Sequence, residues 1–115
     1  MEIQEIKKLV IQKFPEYANP KFKFSWKGNK LGKGGGIWKD IENFDPSLKT
    51  DLEKFLTEGK IPEREEKGYT FSRLTGELGM NPIGAFLTFQ WITEDPEEAI
   101  DALKQGFDEI GKPEN

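Results

Sequence analysis

The sequence contains no cysteine and no histidine. Without cysteine the chain holds no disulfide, thiolate nucleophile, zinc–thiolate site or iron–sulfur cluster. Without histidine it lacks the commonest general base, the usual transition-metal ligand and the side chain that titrates near neutrality. Ser–His and Cys–His catalysis within the chain are therefore excluded. Any chemistry would fall to carboxylates, Lys, Arg, Tyr or hydroxyls. Long apolar runs are missing too. Nothing approaches the ~18 consecutive apolar residues of a membrane helix, and the longest nearly apolar segment, residues 83–92, is of strand length. The first 14 residues include Glu2, Glu5, Lys7 and Lys8, which interrupt the apolar region a signal peptide requires. These absences point to a protein of the reducing cytoplasm with no membrane association, no metal and no cofactor.

What is present suits a single globular domain over residues 1–115, a size at which one core forms without staples. Hydrophobic residues are 35% of the chain, but nine Phe, three Trp and two Tyr supply large side chains for that core. This aromatic content excludes disorder for most of the chain.

The apolar spacing predicts a helix carrying Ile3, Ile6, Leu9, Val10 and Phe14, closed by Pro15. Residues 21–27 alternate strictly, with Phe22, Phe24 and Trp26 on one side and lysines and Ser25 on the other, as in a half-buried strand. A glycine-rich stretch over residues 28–36 reads as a loop, and residues 37–41 as a short second strand. Asp45 and Pro46 open a helix carrying Leu48, Leu52, Phe55 and Leu56, which Gly59 ends. Residues 60–68 form a charged connection. Residues 69–78 and 83–93 read as two strands joined by a hairpin at Gly79, Met80, Asn81 and Pro82. Asp95 and Pro96 begin a last helix, with Ile100, Leu103, Phe107 and Ile110 inward and Gly111 and Pro113 at its end. The order is α-β-β-α-β-β-α. The expected architecture is α+β: a mainly antiparallel sheet of three to four strands, with two to three helices on one face.

That arrangement suggests two candidate binding surfaces. If Leu78 opposes Ile83, then Tyr69 pairs with Ile92, Phe71 with Gln90, Arg73 with Thr88 and Thr75 with Phe86. One sheet face then presents Tyr69, Phe71, Arg73, Phe86, Thr88 and Gln90, a mixed aromatic and polar platform. A one-residue slip would reverse the faces. The second surface is the basic region 21–39, where Trp26, Lys27, Lys30, Lys33, Trp38 and Lys39 surround the glycine loop. Lysines beside aromatics and free backbone N–H groups suit a phosphate or single-stranded nucleic acid. The glycines fit neither a P-loop nor a dinucleotide fingerprint, since each requires the loop to open a helix. The alternative role for these residues is a soluble loop on an edge strand.

Charge is unevenly distributed. Residues 1–39 hold nine Lys and three Glu, a net of +6, whereas residues 40–115 hold eight basic and 18 acidic residues, a net of −10. An acidic surface of that kind attracts a basic protein and speeds the encounter. Asp40, Ile41, Glu42, Asn43, Phe44 and Asp45 superficially suggest a calcium loop, but Phe44 stands at a ligand position and Pro46 breaks the spacing. Glu77 beside the expected hairpin lacks a placed partner for acid–base work. The leading expectation is a small non-enzymatic protein-binding module, in its sharpest form an immunity-type inhibitor of a basic partner. Nucleic-acid or phosphate binding through residues 21–39 is the alternative, and a carboxylate-dependent enzyme a third reading.

Overall fold

The computed structural model describes residues 1–19 and 37–111. The strand expected over residues 21–27 and the glycine loop over residues 28–36 lie outside the described residues. Helix α1 spans Ile3–Lys13 and buries Ile6 and Val10. Pro15 ends it, and a 3-10 turn at Pro15–Ala18 turns Tyr17 into the core. Helix α2 spans Ile37–Glu42. A strand was expected here. Ile37, Trp38 and Ile41 also fit positions i, i+1 and i+4 of a helix, and that periodicity prevails.

Helix α3 spans Pro46–Glu58. Asp45 caps it by accepting the Ser47 N–H at 3.3 Å and the Ser47 hydroxyl at 2.6 Å. Pro46 takes the first position, where its missing N–H costs nothing. Gly59, at φ 70°, closes the helix in the left-handed region. The stripe of Leu48, Leu52, Phe55 and Leu56 is buried as its spacing predicts.

Strands β1 (Glu65–Glu66) and β2 (Tyr69–Thr70) form a two-stranded antiparallel hairpin, with Glu65 opposite Thr70 and Glu66 opposite Tyr69. Lys67 and Gly68 turn it with φ of 55° and 88°, the paired positive values that match the twist of such hairpins. The chain then coils into a π-helical segment at Arg73–Glu77, where the Leu78 N–H reaches the Arg73 carbonyl at 3.1 Å. Helix α4 spans Pro82–Glu94 and helix α5 spans Pro96–Gly111.

The expected three- to four-stranded sheet is therefore overturned. Among the described residues the protein is mostly helical, and its sheet is one short hairpin. None of the pairs between residues 69–78 and 83–93 exists. Residues 83–92 lie in α4, which packs against α2, α3, α5, the hairpin and the π-helical segment. Ile83, Gly84, Ala85, Phe86, Leu87, Thr88, Phe89, Trp91 and Ile92 are all buried. A helix covered on every side needs no polar stripe, so its sequence resembles that of a strand buried on both faces. The cap decides the matter locally. Asn81 accepts the Ile83 N–H at 2.9 Å and Pro82 occupies the first turn. These residues start a helix rather than turn a hairpin.

The core is one cluster centred on α4. Phe55, Phe71 and Phe86 form a triangle of tilted rings with centroids 5.6 to 5.8 Å apart. Tyr17 donates to Asn81 Oδ1 at 3.2 Å. That bond holds the turn after α1 against the start of α4.

Candidate functional site

The six residues expected on an open sheet face do not share one. Tyr69, Phe71, Phe86 and Thr88 are all buried. The Thr88 hydroxyl bonds the Gly84 carbonyl at 2.8 Å and lies 3.4 Å from Met80 Sδ. Gln90 accepts the Asp45 N–H at 3.0 Å and donates to Glu94 at 2.8 Å, fixing the α2–α3 turn to α4. Arg73 is the most accessible of the six. Its guanidinium lies over Phe107 at 4.5 Å and Tyr69 at 5.3 Å, and bonds Glu77 and the Gly68 carbonyl. These contacts join α5 to the hairpin.

Of the basic-region candidates, Trp26, Lys27, Lys30 and Lys33 lie outside the described residues. Trp38 is partly buried, meets Tyr17 edge-on at 6.2 Å and carries the Lys7 ammonium 5.5 Å from its ring centre. Lys39 is exposed.

A different location gathers unpaired polarity: the corner where α2 meets the end of α4 and the start of α5. Asp40, on α2, is half-buried, and its Oδ2 is shielded from solvent without a hydrogen-bond partner. Burial pushes its carboxyl above the usual carboxylate range, the nearby Glu94 charge adds to the rise, and Lys39 opposes it. Glu94 is exposed at the end of α4, and Glu42 on α2 and Glu97 and Asp101 on α5 are exposed as well. Asp101 and Glu97 are four residues apart on α5, so they share a face. Asp95 caps α5 by accepting the Glu98 N–H at 3.3 Å, and the acidic first turn also favours the helix dipole. Trp91, on α4, buries an indole N–H with no acceptor.

Asp40, Glu42, Glu94 and Asp101 all fall in the acidic stretch of residues 40–115, where charge counting does not distinguish Asp40 from the rest. The signal available was a carboxylate one residue before a core isoleucine on a short helix, which requires part of the side chain to be covered.

An acid whose folded pKa is raised contributes stability below its unfolded pKa and loses it as pH rises through the folded value. At pH 7 Asp40 therefore works against folding. Asp40→Asn should raise Tm at pH 7, and the gain should shrink and vanish as the pH is lowered through the carboxylate range. Thermal melts of both proteins from pH 7 to pH 3 check this. A constant difference across that range would show that Asp40 titrates normally.

Among the described residues no group of three carboxylates is placed to hold a metal ion, and no helix is long and apolar enough to cross a membrane. Comparison of the chain with protein-family models, with curated proteins and with solved structures found no match.

Proposed function

We propose that the chain is a non-enzymatic protein-binding module that engages a basic partner through the acidic corner of α2, α4 and α5. An immunity-type inhibitor of a cationic protein is its sharpest form. The observation that carries this reading is the covered, unpartnered oxygen of Asp40 beside the like charge of Glu94. A carboxylate accepts hydrogen bonds only, and one left without a donor destabilises the free protein. An Arg or Lys side chain from a partner would bring the opposite charge to this half-buried carboxylate and its like-charged neighbour Glu94. The exposed Glu42, Glu94, Glu97 and Asp101 would steer that partner and form the rim, with an effect mainly on association rate and salt dependence.

Stability and affinity then move in opposite directions. Asp40→Asn would stabilise the free protein at pH 7 yet weaken the complex, the pattern expected where a residue is kept for binding rather than folding. Affinity capture with tagged wild-type protein and with a Glu94→Lys/Glu97→Lys variant tests the reading. The expected result is a basic protein retained by the wild type, released by moderate salt and lost from the variant. A retained set identical for both proteins, or one without basic members, would reject the acidic corner as the binding surface.

A further inference from the structure

The end of α3 builds a second site with different chemistry. Gly59 reverses the chain, the Lys60 N–H bonds the Lys54 carbonyl at 3.4 Å, and residues 60–63 run back beside the helix. Arg64 fixes this return by bonding Asp51 at 3.2 Å and Ser47 at 2.6 Å. Between helix and return lies a half-open cleft of about 130 Å3, lined by Asp51, Lys54, Lys60, Ile61, Pro62 and Glu63. A cleft of this volume with one open side has room for a small ligand of amino-acid size.

The charges in the cleft are not neutralised within the chain. Asp51 is engaged by Arg64. Lys54, Lys60 and Glu63 are exposed and form no ion pair or side-chain hydrogen bond among the described residues. Pro62 is buried, and Ile61 is 53% exposed, the more exposed of two large hydrophobic residues left open to solvent among the described residues. Two lysines, the carboxylates of Asp51 and Glu63 and an uncovered aliphatic side chain therefore line one small cleft, and of the two carboxylates only Asp51 is held by Arg64.

We infer that this cleft binds a free aliphatic α-amino acid: Lys54 and Lys60 take its carboxylate, Glu63 its ammonium, and Ile61 with Pro62 its side chain. A zwitterion matches all three unpaired charges, whereas a plain carboxylic acid leaves Glu63 repelling it and an amine leaves both lysines unused. The site is separate from the acidic corner and stands whether or not the corner binds a protein.

Titration of the isotopically labelled full chain with leucine, followed by amide shifts in nuclear magnetic resonance, tests the inference. Leucine should give saturable shifts confined to residues 51–63. The Lys54→Ala/Lys60→Ala variant should bind about tenfold more weakly or worse, since it loses both surface charge contacts. Ile61→Ser should remove the preference for leucine over glycine. All three substituted side chains are exposed, so unchanged shifts elsewhere will report an intact fold. N-acetyl-leucine and leucinamide should each bind more weakly than leucine. Absence of saturable shifts in the cleft, undiminished binding by the double lysine variant, or equal binding of either blocked derivative would overturn the assignment.

Discussion

Phe86→Ala should remove about 3–5 kcal/mol of stability, the usual range for deleting a fully buried phenylalanine. Phe86 has no solvent exposure and touches both Phe55 and Phe71 in the central ring triangle. Its neighbours come from α3 and from the segment before the π-helical turn, so collapse into the vacated space would require two separately anchored elements to move. A domain of this size has about 5–15 kcal/mol in total, and the variant should therefore unfold at a much lower urea concentration or fail to accumulate. Equilibrium urea denaturation checks this through the midpoint at unchanged slope. The open sheet face expected from sequence makes the opposite forecast: a surface phenylalanine changes stability by no more than about 0.5 kcal/mol. One measurement thus separates the two folds.

Arg64→Ala should cost about 2 kcal/mol. The guanidinium is 15% exposed and bonds Asp51 at 3.2 Å, Glu66 at 2.9 Å and the Ser47 hydroxyl at 2.6 Å. It thereby joins the hairpin to the first turns of α3. Loss of the arginine leaves two carboxylates facing each other across a gap. Both are about 30% exposed and regain water, which keeps the cost below the ~3–5 kcal/mol of breaking a fully buried pair. Arg64→Lys should recover less than half of the loss, because an ammonium cannot serve three partners set in a planar fork. The same urea experiment measures both variants. A change under about 0.5 kcal/mol for Arg64→Ala would place these contacts among ordinary surface ion pairs.

The legible parts of the fold were those with both periodicity and punctuation. Helix α3 shows an apolar stripe at helical spacing between Asp45–Pro46 and Gly59, and each of those residues does what its chemistry suggests. Helices α1 and α5 were legible for the same reason. The failure came at α4, where burial on every side erases the contrast between faces that periodicity depends on. Asn81 and Pro82 carried the correct signal, but residues that open helices also make turns. Tyr69 and Thr70 do form a strand, but its partner is Glu65–Glu66, and residues 71–78 leave it for the π-helical turn. The hairpin turn at Lys67 and Gly68 carries little sequence signal, because lysine at positive φ lacks the asparagine or aspartate signature of such turns.

The candidate site was less legible than the fold. Charge counting locates an acidic half, yet nothing in composition distinguishes a solvated carboxylate from Asp40, whose Oδ2 is covered in the folded chain. That distinction is created by tertiary contact. The same holds for the cleft beside α3, since Lys54 and Lys60 line it together only because Gly59 turns the chain back.

The burial of α4 from Ile83 to Ile92, with only Gln90 partly open, also governs what happens when the protein is not folded. Residues 83–92 carry no charge and no proline, and they include Phe86, Phe89, Trp91 and two isoleucines. A window of that composition favours intermolecular β-assembly whenever it is exposed. Glu94 and Asp95 follow it directly and act as charged gatekeepers at one end, while Asn81 and Pro82 interrupt pairing at the other. The solubility of the chain is therefore conditional on α4 staying covered, and each contact that holds α3 and α5 against it protects against aggregation as well as unfolding.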